Sequence, residues 1–177
     1  MRLEGSAWRE FFDAFSDYAF RLETLPVYGV ASEDEEFKRF LAGEPRPDEE
    51  LADSPWLHRV RRFTASGRRV QRVHVVTPPL SDYLRYEMAW GYDFNIVAGE
   101  DVRIIETDAP SELPFSAHED FWLFDDTHVV LMRYEDDGTQ IDRILLEDVD
   151  VLDYISRKDT ALRLGTPYED YRARLNT

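Results

Sequence analysis

The segment HEDFWLFDD at residues 118–126 places the tightest constraint on how this chain folds. Its apolar run at residues 121–124 contains aromatic residues, which favour β-strands. A second apolar run at residues 129–134 follows after the short polar link Asp-Asp-Thr. Two such runs joined by a tight turn predict a β-hairpin. The side chains expected on its buried face are Phe121, Leu123 and either Val129 or Val130.

Four further segments have the composition or alternation of strands. They lie at residues 19–25, 70–76, 102–106 and 140–146. An Asp-Gly pair ends the polar turn at residues 135–138, and this pair supplies the positive φ values that short hairpins need. We therefore expect the strands on either side of that turn to be antiparallel neighbours, which extends the hairpin into a C-terminal meander.

Helices are predicted between these strands from capping residues and the helical spacing of apolar residues. They begin after Ser6, at Ser32, at Ser54, at Ser81, at about residue 148 and at Thr166. The helices that begin at Ser54 and Ser81 end at Gly67 and Gly99. Residues 44–53 form a Pro-containing acidic loop. Helix-separated strands followed by a meander predict an α+β fold, in which helices pack on a mixed β-sheet. At 177 residues and 43% hydrophobic content, one domain over residues 1–177 is expected.

Composition narrows the classes of function. A formal net charge of -16 disfavours direct nucleic-acid binding, since that affinity comes mainly from cations on phosphates. The absence of cysteine excludes disulfides and thiol chemistry. The first ten residues lack the apolar run of a signal peptide, and no long apolar run suits a membrane, so we expect a cytoplasmic protein with no membrane contact. Metal-ligand spacings and Gly-rich phosphate loops are missing, which predicts no metal and no cofactor.

Five blocks resemble the recurring motifs of an uncharacterised actinobacterial protein family. They are FLAGE at residues 40–44, DYLRYE at 82–87, AGEDVR at 98–103, FWLFDD at 121–126 and DDG at 136–138. The similarity extends from about Ser6 to Tyr171. Members of that family are often encoded beside helix-turn-helix regulators, so the resemblance implies a regulatory or accessory role and assigns no catalytic residue.

A second resemblance concerns phospholipase D-like enzymes, which carry a His-x-Lys-x4-Asp motif. His118, Asp120 and Asp125 stand at these three spacings. The phosphate-binding Lys is replaced by Asp120, whose charge would repel phosphate. The resemblance therefore implies a phospholipase D-like fold as one alternative, without that activity, and leaves His118 and Asp125 as weak catalytic candidates.

Residues 58–76 contain six arginines and no acid. The candidates for ligand or partner binding here are Arg61, Arg62, Arg68, Arg69 and Arg72. They could form a nucleic-acid patch over residues 59–72, or they could neutralise the acidic stretch at residues 33–53 within the fold or across a homodimer. We favour neutralisation, because the net charge of the chain repels polyanions.

Two tryptophans complete the candidate binding residues. Trp90 belongs to an aromatic stripe on the helix that begins at Ser81, and Trp122 lies in the predicted hairpin. Because no intact catalytic motif is present, we expect a non-catalytic regulatory or interaction protein that works with a helix-turn-helix regulator. The alternative is a small-molecule sensor or enzyme with a cleft at the ends of the strands at residues 70–76 and 121–134. Convergent polar groups in a cleft would favour that alternative, whereas a flat exposed apolar patch would favour an interaction module.

Overall fold

The computed structural model describes residues 1–116 and 118–175, and seven β-strands lie within these ranges. The strands are β1 (Tyr18–Glu23), β2 (Arg69–Val76), β3 (Glu100–Glu106), β4 (Asp120–Phe124), β5 (His128–Tyr134), β6 (Gln140–Leu145) and β7 (Thr166–Pro167). They form one sheet in the order β6-β5-β4-β1-β2-β3-β7.

The two halves of this sheet are connected differently. Strands β1, β2 and β3 run parallel, and parallel neighbours need long crossover connections, which helices supply. Strands β4, β5 and β6 form an antiparallel meander. Its tight turns place Asp125, Asp126 and Gly138 at φ values of 51°, 54° and 87°. The meander joins the parallel half where β4 pairs antiparallel with β1. The predicted α+β class and C-terminal meander are confirmed.

Helices cover both faces of the sheet. They are α1 (Gly5–Asp13), α2 (Asp34–Leu41), α3 (Asp48–Ala52), α4 (Pro55–Ala65), α5 (Asp82–Tyr86), α6 (Tyr92–Ala98), α7 (Val151–Leu164) and α8 (Tyr168–Leu175), with a π-helical turn (Glu87–Gly91) between α5 and α6. Phe121, Leu123 and Val129 share the face that packs against α7, which agrees with the expected hairpin face. Trp122 and Val130 are buried on the opposite face, beneath α1 and α4.

Local capping signals locate two helix starts correctly. The Ser54 hydroxyl oxygen accepts a hydrogen bond from the Leu57 N–H, and that of Ser81 accepts one from the Leu84 N–H. Ser32 does not cap α2, because the residue before its first turn is Glu33, whose side chain makes no capping bond.

Two other predicted features differ. The acidic segment at residues 44–53 contains the short helix α3, whose first turn carries three acids that favour a helix N-terminus. Thr166 was expected to cap the last helix, but it pairs with Ile104 as part of β7.

The helix predicted to run from Ser81 to Gly99 changes its hydrogen-bond period in the middle. Residues Glu87–Gly91 form a π-helical turn, and the weak helix former Gly91 ends that turn. Single π-helical turns inside α-helices are frequent at functional sites. Glu87 and Trp90 both lie on this turn, so it determines where the two side chains meet the sheet.

Leu123→Asp should unfold the domain, because it places an unpaired charge between the sheet and α7. Leu152 is the matched control, since it is 73% exposed in the first turn of α7. We expect Leu123→Asp to lower the free energy of unfolding by about 4 kcal/mol or more, and Leu152→Asp to change it by under about 0.5 kcal/mol. Urea unfolding measures both values, and equal midpoints for the two variants would contradict the hairpin assignment.

Candidate functional site

A cleft of about 1120 Å³ lies on the face of the sheet opposite α7. Its floor is built from β1, β2, β4, β5 and β6, and one wall is built from α5, the π-helical turn and α6. The floor residues are Arg21, Glu23, Arg72, Trp122, Met132, Tyr134, Gln140 and Arg143. The floor combines residues from within strands, such as Arg21, Arg72 and Trp122, with Glu23 and Tyr134, the last residues of β1 and β5. The volume of the cleft is on the scale of small-molecule sites.

The central strand β1 supplies two charged groups to this floor. All six of its residues are buried, and because side chains alternate across a strand, Arg21 and Glu23 face the cleft while Phe20 and Leu22 face α7. A buried charge is tolerated only when it is paired and hydrogen-bonded. The neighbouring strands must therefore provide partners for both groups.

Arg72 on β2 provides the partner of Glu23. Its Nη1 donates to both carboxylate oxygens of Glu23 at 2.8 and 2.9 Å, and its Nε donates to Glu100 Oε1 at 2.8 Å. Burial would raise the pKa of Glu23, but the positive charges of Arg72 and Arg21 outweigh burial and hold the pKa at about 2. Glu23 is therefore ionised at neutral pH.

Arg21 is held by Asp120 at the start of β4. Its Nη2 donates to Asp120 Oδ2 at 2.8 Å and to the Tyr134 hydroxyl at 3.0 Å. Asp120 also accepts hydrogen bonds from the Tyr28 hydroxyl and from the backbone and side chain of Thr24. One nitrogen of Arg21, Nη1, is buried without a hydrogen-bond partner among the described residues.

His74 connects the floor of the cleft to its wall. Its Nε2 lies 2.9 Å from the Leu25 carbonyl oxygen, so Nε2 carries a proton, and Nδ1 can accept one from the Tyr92 hydroxyl at 2.7 Å. Burial lowers the pKa of His74, which favours this neutral form. Oε2 of Glu23 and Oε2 of Glu87 each lie 3.6 Å from Nδ1.

Glu87, on the π-helical turn, differs from Glu23 in its ionisation. Burial, reinforced by the negative charge of Glu23, raises the pKa of Glu87 well above its ordinary value. The Tyr92 hydroxyl lies 3.3 Å from Glu87 Oε2. The Tyr92 hydroxyl has one proton, and it donates that proton to the closer His74 Nδ1. A protonated Glu87 can therefore supply the proton for its own contact with the Tyr92 hydroxyl oxygen. Two carboxyl groups with opposite pKa shifts thus flank one imidazole.

The wall of the cleft pairs further carboxyl groups with tyrosines. Glu33 accepts a hydrogen bond from the Tyr83 hydroxyl, and Glu36 accepts one from the Tyr86 hydroxyl, each at 2.9 Å. Burial, the largest influence, raises the pKa of Glu33 to about 6. The Tyr86 ring also packs against Trp90, with ring centroids 6.1 Å apart. The wall therefore combines aromatic surface with a carboxyl group that titrates near neutral pH.

Three of the binding residues proposed from the sequence line this cleft: Arg72, Trp90 and Trp122. The other four arginines lie outside it and have partners within the chain. The pairs are Arg61 with the Ala52 carbonyl, Arg62 with Asp13, Arg68 with the carbonyls of Asp13 and Phe15, and Arg69 with Asp17. The carboxylates that neutralise Arg62 and Arg69 thus come from the segment before β1, not from residues 33–53.

The residues with phospholipase D-like spacing do not meet in one site. His118 is exposed and lines a separate pocket of about 440 Å³ that also includes Asp120. Asp125 follows the opposite end of β4, where it accepts hydrogen bonds from the backbone N–H groups of Ser16, Asp17 and Tyr18. Burial raises the pKa of Asp125, but these three hydrogen bonds outweigh burial and hold the pKa below its ordinary value. Asp125 therefore orders the turns at that end of the sheet.

The charged residues Arg21, Glu23, Glu87 and Arg143 are among the cleft residues that the sequence candidates did not include. The sequence does contain a signal for Arg21 and Glu23. Charged residues at positions i and i+2 of an otherwise apolar strand point to the same face of the sheet. Glu87 is hidden in an aromatic helix, and its position depends on the π-helical turn.

Residues 1–116 and 118–175 contain no group of three or more His, Asp or Glu side chains placed to hold a metal ion. None of the helices in these ranges has both the length and the apolar character needed to cross a bilayer.

Glu87→Gln should remove a pH dependence of stability. Above pH 4.5, the ordinary pKa of this carboxyl, the unfolded chain ionises Glu87 while the folded protein keeps the proton. The stabilisation is therefore complete below pH 4.5 and is lost as the pH rises through the raised folded pKa. As the pH rises above 4.5 we expect the wild type to lose stability relative to Glu87→Gln, with a slope of at most about 1.4 kcal/mol per pH unit. Urea unfolding at several pH values, with Glu112→Gln as a surface control, tests this; parallel curves for the wild type and Glu87→Gln would refute it.

The arginine-rich segment should not bind duplex DNA at about 0.15 M salt, because its guanidinium groups have partners within the chain and the net charge of -16 repels phosphate. A fluorescence-anisotropy titration checks this expectation. Micromolar binding that weakens steeply with salt, and that Arg61→Glu and Arg68→Glu abolish, would show that these arginines contact phosphates. Arg85→Glu, on α5, controls for added negative charge.

Comparison with known proteins gives one family. A family model described as "Domain of unknown function (DUF6879)" matches residues 6–173. No curated protein matches the chain. The match covers every strand of the sheet and every residue of the cleft floor.

Proposed function

The chain belongs to the DUF6879 family of unknown function, and we propose, from its cleft, that it is a regulatory protein that binds a small organic molecule. The observation that carries this proposal is the convergence of Arg21, Glu23, Arg72 and Glu87 with an aromatic wall on one concave surface. Pockets of this kind bury most of a ligand against apolar side chains, while a few fixed polar groups orient it.

The arrangement of polar groups supports ligand binding over a purely structural role. A buried ion pair stabilises a fold no better than well-packed apolar residues of similar volume do, and often less well. A structural sheet face would therefore be expected to carry apolar side chains at Arg21, Glu23 and Arg72. Instead, these positions hold charged groups in fixed geometry beneath an open cleft.

The surface gives less support to a flat protein interface. The two most exposed of the large apolar side chains in the described residues, Val97 and Leu152 at 81% and 73%, lie on different helices, α6 and α7. Isolated exposed apolar residues are ordinary and need no partner. Action through a helix-turn-helix regulator and a cytoplasmic location remain proposals that the sequence motivates, with ligand occupancy as the signal to be transmitted.

Acid–base catalysis is the second candidate. Glu23 and Glu87 lie at equal distances from His74 Nδ1, and their pKa values are shifted in opposite directions. Such pairs provide one proton donor and one acceptor at the same pH. Turnover of a bound ligand that is lost in Glu87→Gln, with ligand affinity retained, would distinguish an enzyme from a sensor.

Gly91→Phe should block the cleft without disturbing the fold. Gly91 lines the cleft, its φ of -108° suits any residue, and an added Cβ would meet no atom within 4 Å. A thermal-shift screen of small metabolites should yield compounds that stabilise the wild type, by about 2.7 kcal/mol at a hundredfold excess over Kd, but not Gly91→Phe.

Val97→Phe on the outer surface of α6 is the matched control and should respond like the wild type. Ligands that stabilise all three proteins equally would place binding elsewhere. A screen in which no compound stabilises the wild type would count against the proposal.

A further inference from the structure

One end of the cleft holds two arginines with unused hydrogen-bond donors. Arg21 on β1 and Arg143 on β6 both line the cleft. Nη1 of Arg21 and Nε of Arg143 are buried, and neither nitrogen has a hydrogen-bond partner among the described residues. A buried donor without a partner costs about 1–3 kcal/mol, so each such group calls for an explanation.

Arg143 is also unusual in its charge pairing. Of the cleft-lining arginines, Arg21, Arg59 and Arg72 each form ion pairs with carboxylates. Arg143 forms none within residues 1–116 and 118–175, although the whole chain has 37 acids and 21 basic residues. Its guanidinium instead lies over the Trp8 ring, 5.3 Å from the ring centroid.

The two arginines act on a common region of the cleft. Arg143 pairs across the sheet with Met132 on β5, and the Arg21 side chain reaches the same strand, since its Nη2 donates to the Tyr134 hydroxyl at 3.0 Å. Burial lowers the pKa of Arg143, and the positive charge of Arg21 lowers it further. Two cations on the surface of one cleft, each with a donor that has no partner among the described residues, are complementary to an anionic group.

We propose that Arg21 and Arg143 bind the carboxylate of a small monocarboxylic acid whose apolar body lies along Trp8, Trp122 and Met132. A guanidinium group pairs with a carboxylate through two parallel N–H donors, and the half-buried Arg143, which lines the cleft and forms no ion pair among the described residues, offers such a pair of donors. A dianionic phosphate fits less well, because Glu23 and Asp120 lie beside Arg21 and would repel the second charge. This assignment rests on the proposed ligand-binding function and names its ligand class.

The test uses three probes on the full chain: 4-phenylbutyrate, the amine 4-phenylbutylamine with the same apolar body, and inorganic phosphate. Isothermal titration calorimetry should detect binding of the carboxylate alone. Arg143→Gln should weaken that binding at least tenfold, and Arg85→Gln, an exposed arginine on α5, should leave it unchanged.

A thermal melt separates binding from a structural role. Because Arg143 has no ion pair among the described residues, Arg143→Gln without ligand should melt at the wild-type temperature or above it. A lower melting temperature with unchanged carboxylate affinity would overturn the proposal.

The remaining outcomes separate this inference from the proposed function. Tighter binding of the amine or of phosphate than of the carboxylate would reject the carboxylate assignment, and so would no binding of any probe. Binding of the amine that Gly91→Phe abolishes would retain the ligand cleft while rejecting the role of Arg143. Only the failure of the broader metabolite screen would reject the cleft itself.

Discussion

The contact of Arg72 with Glu23 and Glu100 is the interaction on which the arrangement of the cleft depends. Removing Arg72 would leave the buried carboxylate of Glu100 without an ion-pair partner among the described residues, and a buried unpaired charge costs about 3–5 kcal/mol. Glu23 ends β1, Arg72 lies within β2 and Glu100 begins β3, so the three groups tie the parallel strands together. The second oxygen of Glu100 accepts hydrogen bonds from Trp56 in the first turn of α4 and from Asn95 on α6. The same cluster therefore fixes the helices of the wall relative to the floor.

This coupling explains how the cleft can stay open above a dense network of charges. Glu23 keeps its negative charge because Arg72 and Arg21 surround it, and its charge in turn disfavours ionisation of the nearby Glu87. A neutral Glu87 removes one repulsion that would otherwise push the π-helical turn away from the sheet. The Tyr92 hydroxyl, between Glu87 and His74, links the ionisation of the wall to that of the floor. A ligand that changes the charge of one of these groups would change the ionisation of the others. A sensor requires coupling of this kind.

Local features were readable from the sequence, and long-range features were not. Ser54 and Ser81 cap their helices through contacts three residues away, and the Asp-Gly turn sets the hairpin between β5 and β6 within a few residues. The α+β class followed from such signals. The cleft did not, because Arg21 contacts Asp120 across 99 positions of sequence. Trp90, Trp122 and Arg72 were singled out for their residue types, but the basic stretch that suggested Arg72 is divided in space. Arg62, Arg68 and Arg69 bind the segment before β1, whereas Arg61 binds the Ala52 carbonyl.

The two faces of the sheet have different roles: the face against α7 stabilises the fold, and the opposite face forms the cleft. On the α7 face, Phe121, Leu123 and Val129 have no exposed surface and no polar groups to satisfy, so their burial contributes directly to folding. The opposite face carries Arg21, Glu23, Arg72 and His74, whose burial costs free energy unless their charges are paired and hydrogen-bonded. The α7 face must therefore offset what the polar face costs. Because the strands are shared, each side chain at the cleft floor is anchored by apolar neighbours one residue away on the other face. A rigid floor of this kind holds charged groups at fixed distances without an occupant, and preorganisation of that sort reduces the entropy that a ligand must lose on binding.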